Sequence, residues 1–185
     1  MQRYYASLQA IDQQTMQLDH AHCVHCKQAH QLISHGFVYQ KQTHAEPAAI
    51  GKRVFCSNRN RHTGCGRTMR LYLDATVRYL HYAGSQVVAF VLALMAGMTV
   101  QRAYDRATGT ADPRNAYRWL NRLGAQLSTY RSLSHQPRLQ NVDDPVTAHR
   151  PVRQILLVAT FRSLLPYFAP PLCASYQRQL QRSFL

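Results

Sequence analysis

An α+β fold is predicted from three observations: two cysteine pairs, a change of hydrophobic period near residue 75, and a large basic excess. The pairs are Cys23-Val-His-Cys26 and, 29 residues further on, Cys56 with Cys65, so the spacings are C-x2-C and C-x8-C. Around them the pattern is that of short strands, and beyond them it turns helical. The predicted architecture is a small cysteine-pinned ribbon of three short antiparallel strands, followed by a helical domain and C-terminal helices.

Taken in order, residues 1–18 carry Tyr4, Tyr5, Leu8, Ile11 and Leu18 at roughly helical spacing and predict a short helix or ordered arm. Residues 19–74 form the ribbon. Its strands are His35-Gly-Phe-Val-Tyr-Gln, Gly51-Lys-Arg-Val-Phe-Cys and Arg67-Thr-Met-Arg-Leu-Tyr-Leu, rich in aromatic and β-branched residues. Thr43 to Ala49, with Pro47, reads as a loop. Residues 75–127 are helical. One helix runs from Ser85 to Ala96 and stops at Gly97; Thr99 caps a second, Val100 to Ala107, ending near Gly109. Asp112-Pro113, an N-cap followed by proline in the first turn, starts a third that reaches about Leu127. Residues 128–151 are aperiodic and predict a linker, and 152–185 return to helix with breaks at Pro166 and Pro170-Pro171.

Four cysteines in a polar segment poor in large aliphatics have few core positions to fill. The start, Met1-Gln-Arg-Tyr-Tyr, lacks an apolar signal region, so a cytoplasmic protein with reduced thiols is expected, nucleoid-associated if it binds DNA. A disulfide framework is then the weaker reading, and zinc ligation by Cys23, Cys26, Cys56 and Cys65 the stronger one. His62, three residues before Cys65, is the nearest candidate to replace a cysteine among the crowded histidines. Cys173 lies in an apolar stretch and reads as a packed thiol.

Net charge is +14, from 22 Lys and Arg against 8 Asp and Glu, with Arg predominant. Such an excess favours polyanionic partners, and Arg suits bidentate phosphate and guanine contacts. The one long apolar run, Val87 to Met98, is too short to span a bilayer, so no membrane partner is expected. Sorted by angle, the third helix puts Ala116, Trp119, Leu120, Leu123 and Leu127 on one arc and Arg114, Asn115, Arg118, Asn121 and Arg122 on the other. Short helix, turn and basic amphipathic helix match a helix-turn-helix. In that reading Arg114, Asn115 and Arg118 touch bases and Arg122 lies nearer phosphate. The plainer reading is a solvated outer face of a bundle. The ribbon adds Lys52, Arg53, Arg59, Arg61 and Arg67 to the candidate contacts.

Cys23-x2-Cys26, the Gly51-Lys-Arg-Val-Phe-Cys56 strand, the Cys65-Gly-Arg-Thr knuckle and the helix-turn-helix after it resemble the N-terminal DNA-binding half of insertion-sequence transposases and their small companion proteins. The resemblance covers roughly residues 20–127. It implies that ribbon and helices bind the ends of a mobile element, and that the four cysteines ligate zinc. Those transposases continue into a catalytic domain with three acidic metal ligands, and this chain is expected to end where that domain would begin. The acidic residues, Asp12, Asp19, Glu46, Asp74, Asp105, Asp112, Asp143 and Asp144, form no motif for two-metal chemistry. A non-enzymatic, zinc-stabilised binder of double-stranded DNA is expected, an accessory or regulatory factor beside a separate recombinase or transposase. The C-terminal helices pack on the Val87 to Met98 helix or form a homodimer interface. The alternative is an RNA-binding zinc-ribbon subunit of a ribonucleoprotein, using exposed Phe37, Tyr39 and Phe55 for stacking. A nuclease or recombinase comes third.

Overall fold

A computed structural model describes residues 3–40, 46–78, 82–133, 152–168 and 170–185. The chain is α+β and divides into two units, Met1–His81 with Tyr176–Ser183, and Tyr82–Ser175 with Phe184–Leu185. The first holds a four-stranded sheet. Its strands are β1 (Tyr4–Tyr5), β2 (Leu32–Gln40), β3 (Ala48–Cys56) and β4 (Thr68–Leu73), in the order β1-β4-β3-β2. β2, β3 and β4 are antiparallel neighbours, whereas β1 runs parallel to β4 with Tyr4 opposite Tyr72.

The expected three strands therefore become four. A two-residue strand is too short to show a period. Long-range hydrogen bonds hold β1 in place: Tyr72 N–H donates to the Arg3 carbonyl (2.7 Å) and Asp74 N–H to that of Tyr5 (2.8 Å). Gln181, far along the chain, closes the other side of β1. Its Oε1 accepts from the N–H groups of Arg3 (2.6 Å) and Tyr4 (2.9 Å), and its Nε2 donates to Tyr4 O (3.1 Å). The expected 1–18 arm thus joins the sheet unit. Helix α1 (Leu8–Met16) starts at Ser7, whose hydroxyl accepts from Ala10 N–H. Ile11 and Leu18 are buried with Tyr5, Val54, Met69 and Leu71 in the core between α1 and the sheet. Burial of each large apolar side chain there contributes about 1.5–3 kcal/mol.

Strand β2 begins at Leu32, earlier than expected, and β3 takes in Ala48 and Ala49 from the predicted loop; Thr43 of that loop lies outside the described residues. The β2–β3 register passes from Ser34 opposite Val54 to Phe37 opposite Lys52, a bulge at His35-Gly36.

In the second unit, α2 (Gly84–Met95), α3 (Val100–Thr108) and α4 (Pro113–Ala125) follow the predicted starts and stops. Gln86 Oε1 accepts from Ala83 N–H, Thr99 Oγ1 from Arg102 N–H and Asp112 Oδ1 from Arg114 N–H. Trp119 is 2 % exposed and lies edge-on to Tyr104 (5.1 Å), Tyr82 (5.2 Å) and Phe90 (5.6 Å), which locks the three helices together. The chain does not become a linker at 128. A further helix, α5 (Leu127–Leu133), buries Tyr130 against Phe161 and Phe184, and the Tyr130 hydroxyl donates to the Phe184 carbonyl. The rest of the predicted linker, residues 134–151, lies outside the described residues.

Helix α6 (Val152–Leu164) packs on α2, α4 and α5, as the C-terminal apolar stripe leads one to expect. Helix α7 (Leu172–Leu180) ends four residues short of the predicted Phe184. Its last turns belong to the sheet unit, where Gln177 Nε2 donates to the carbonyls of Asp74 (2.7 Å) and Thr76 (2.8 Å). Among the described residues no single helix is long and apolar enough to cross a membrane.

Candidate metal centre and basic surfaces

Two turns bring the four cysteines together. In the first, Lys27 N–H donates to the Cys23 carbonyl (2.9 Å), His25 N–H points at Cys23 Sγ (3.4 Å), and Lys27 takes a positive φ of 63°. In the second, Gly66 N–H donates to the Cys56 carbonyl (2.9 Å), Cys65 N–H points at Cys56 Sγ (3.3 Å), and Gly66 has φ 70°. The two are the same knuckle. The wide C-x8-C spacing arises because residues 58–63 form a side loop that Gly64 N–H closes on the Ser57 carbonyl at 2.7 Å. With that loop short-circuited, Cys56-Ser57-Gly64-Cys65-Gly66 stands where Cys23-Val24-His25-Cys26-Lys27 stands in the first turn. Gln31 braces the loop, accepting from Ser57 N–H through its carbonyl and from Thr63 N–H through Oε1.

Gly64 was not among the candidate residues, yet the knuckle depends on it. A Cβ there would lie 2.5 Å from Cys56 Sγ and closer still to the Ser57 carbonyl oxygen. The Gly-Cys-Gly run around Cys65 was the available signal for it.

All four sulfurs lie within 4.8 Å of one another. Tetrahedral thiolate coordination with bonds of about 2.3 Å sets sulfurs about 3.8 Å apart. Cys23 Sγ and Cys65 Sγ are 3.8 Å apart, and Cys26 Sγ and Cys56 Sγ 3.7 Å. A disulfide would need about 2.0 Å. The donor set therefore fits one metal ion, and four sulfurs leave no position open for substrate. Burial works against the Cys23 thiolate, but N–H groups of Cys26 and His25 and the neighbouring thiols outweigh it and bring its pKa down to about 7. Burial pushes Cys56 up to about 12, against the opposing Cys65 N–H. His62 is not in the cluster; its Nδ1 lies 3.2 Å from the His30 carbonyl. Cys173 is buried in the helical unit.

The ribbon cations differ in availability. Lys52 is tied to Asp12 (2.6 Å) and sits 4.9 Å from the centre of the Phe37 ring, so its charge is already matched. Arg53, Arg59, Arg61 and Arg67 are exposed. Arg53 donates to the Phe37 carbonyl at 3.3 Å.

Helix α4 sorts as its sequence predicts. Ala116, Trp119 and Leu123 are buried; Arg114, Tyr117, Arg118, Asn121 and Arg122 are exposed. Asn115 is half-buried and ties the first turn together, donating to Asp112 Oδ2 (3.3 Å) and accepting from Arg118 (3.4 Å). The Arg114 N–H and guanidinium hold the Asp112 carboxyl below its usual range. Asp143 and Asp144 lie outside the described residues. Tyr104 and Tyr130 are both buried, and burial together with the Tyr82 hydroxyl pushes Tyr104 up to about 12. No family model, curated protein or solved structure matches this chain.

Proposed function

We propose that the protein is a zinc-stabilised, sequence-specific binder of duplex DNA. In this reading the sheet unit is a zinc ribbon, and α3 and α4 with the turn between them are a helix-turn-helix. The outward face of α4 carries the proposal. Arg114, Arg118, Asn121 and Arg122 project from a helix whose opposite face is buried around Trp119; α4 itself carries no carboxylate, and the N-cap Asp112 pairs with Arg114 at 3.4 Å. Arginine offers two donors to guanine O6 and N7, and a rigid helix presents them in register to a major groove. Zinc is the natural occupant of four thiolates at tetrahedral spacing, with mononuclear iron its rival for the same donors. The metal has no open site, so its role is to hold the fold.

A role beside a separate recombinase or transposase, as an accessory or regulatory factor, rests on the likeness to insertion-sequence DNA-binding regions, as does the proposed nucleoid location. Homodimerisation would supply a second half-site.

A single-strand or RNA-binding reading has one observation in its favour. Phe37 and Tyr39 are 40 % and 60 % exposed on the ribbon, their rings 6.1 Å apart, as a stacking surface requires.

Metal analysis of the purified protein and gel shifts against random duplex, single-stranded DNA and RNA separate these readings. One zinc per chain and selection of a duplex sequence support the proposal. Preferential binding of single strands overturns it in favour of the second reading, and iron in place of zinc corrects the metal.

A further inference from the structure

The sheet unit also holds a cavity with several cationic side chains on its walls. A cavity of about 320 Å³ opens beside β1 and β4, and Arg3, His25, Arg70, Tyr72 and Arg78 are among the residues that line it. Among the described residues, no Asp or Glu lines it. Thr68, Arg70 and Tyr72 alternate along β4 and so share one side of the sheet. Arg70 donates to the Tyr72 hydroxyl (3.5 Å), and the Arg78 guanidinium lies 5.5 Å from the centre of the Tyr72 ring. At the knuckle end, Arg67 is 3.4 Å from His25 Nδ1. A guanidinium can only donate, so Nδ1 accepts and Nε2–H is left as a donor.

Arg70 is the direct register partner of Arg53 on the neighbouring strand. Like charges placed opposite each other on neighbouring strands destabilise a sheet. A bound anion reverses the sign of that interaction.

We propose that this cavity binds a phosphomonoester. A terminal phosphate carries about −1.5 to −2 charges and three free oxygens, whereas a backbone diester carries about one charge. Guanidinium forks match those oxygens two at a time. Tyr4 and Tyr72 are 1 % and 4 % exposed, so neither ring is open for a base to stack on, and recognition falls on the phosphate. The ligand is a free nucleotide or the phosphorylated end of a nucleic-acid strand; both present the same group. The site uses none of the α4 residues named above.

The test is calorimetric titration of the metal-loaded full chain with inorganic phosphate, deoxyadenosine 5′-monophosphate, deoxyadenosine, and one oligonucleotide with either a 5′-phosphate or a 5′-hydroxyl. The monophosphate is expected to bind at least about tenfold tighter than the nucleoside, the value of one charge-assisted hydrogen bond or more. Binding of the monophosphate and of inorganic phosphate identifies a free-nucleotide site. Binding confined to the phosphorylated oligonucleotide identifies a strand end. Arg3→Gln leaves the backbone bonds of β1 to Gln181 in place, so its fold is kept. It and Arg70→Gln are each expected to weaken binding about tenfold, while Arg102→Gln in the helical unit has no effect. Equal affinity for phosphorylated and unphosphorylated ligands, or an unchanged Arg3→Gln, overturns the proposal. A gel shift with blunt 5′-hydroxyl duplex reports on α4 separately and is expected to be unmoved by Arg3→Gln.

Discussion

Replacing Gly64 with alanine tests the second knuckle most sharply. The added Cβ falls 2.5 Å from Cys56 Sγ, with the Ser57 carbonyl oxygen nearer still. Non-bonded heavy atoms rest at about 3.5–4.0 Å, so backbone or sulfur has to move by about 1 Å. A metal site tolerates roughly 0.2 Å in its bond lengths, so the displacement exceeds the tolerance several-fold. Neither obstacle is the end of a flexible side chain: one is a ligand sulfur and the other backbone. Overpacking of this kind costs about 1–3 kcal/mol, equivalent to roughly 5- to 150-fold in metal affinity. The same shift also opens the 3.3 Å Cys65 N–H contact to Cys56 Sγ. The assay is zinc competition against a chromophoric chelator. Gly124→Ala is the matched control: a Cβ in that helix meets nothing within 4 Å, and Ala there gains about 0.5–1 kcal/mol. A Gly64→Ala protein that holds zinc within twofold of wild type would refute the packed knuckle described above.

Other perturbations act on separate parts of the molecule. Cys26→Ser, or a strong chelator, removes a metal term worth about 10–16 kcal/mol in comparable modules. That is as large as a domain's whole stability, so proteolytic protection of β2 to β4 should vanish; Cys173→Ser should leave metal content unchanged. Arg118→Ala should weaken specific duplex binding by roughly 1–3 kcal/mol, and an unaltered sequence preference in a selection experiment would take it out of the interface. Gln181→Ala strips three hydrogen bonds from β1; thermal melting should show a loss of about 1–3 kcal/mol, and an unchanged melt would mean that β1 does not need them. Burial raises the Asp74 pKa against the pull of Arg178 and nearby N–H groups. Its contribution to stability is therefore fully present below its unfolded value of 3.8 and is lost as pH rises through the higher folded value. Asp74→Asn should match or exceed wild-type stability at pH 7, with any gain shrinking on acidification; a clear loss at pH 7 that disappears in acid would reverse that sign.

Several elements could be read without coordinates because their signals are local. Thr99, Gly109 and Asp112-Pro113 bracket α3 and α4, and the period of Ala116, Trp119 and Leu123 shows which face of α4 is buried. Cysteine spacing picked out all four sulfurs of the cluster but left the second pair looking too wide. The hydrogen bond from Gly64 to Ser57 resolves that width, and nothing in a spacing count reveals it. The structure also settles the competition between His62 and the cysteines, because the loop that carries His62 turns it toward His30. Strand β1 and helix α5 were missed for one reason. Each is short, and each is held by partners far along the chain: Gln181 for one, Phe161 and Phe184 for the other.

By itself the sequence determined what depends on neighbours in the chain: helix starts and stops, the polarity of α4, the thiol inventory and the basic excess. Only the tertiary structure decided what depends on closure. It drew the four sulfurs within 4.8 Å of one another, brought residues 176–183 back to the sheet unit, and gathered Arg3, Arg70 and Arg78 around one cavity. The physical reason is range. Caps and periodicity act over a turn or two of chain, whereas a ligand set or a charged cavity exists only after distant segments have given up the entropy needed to meet.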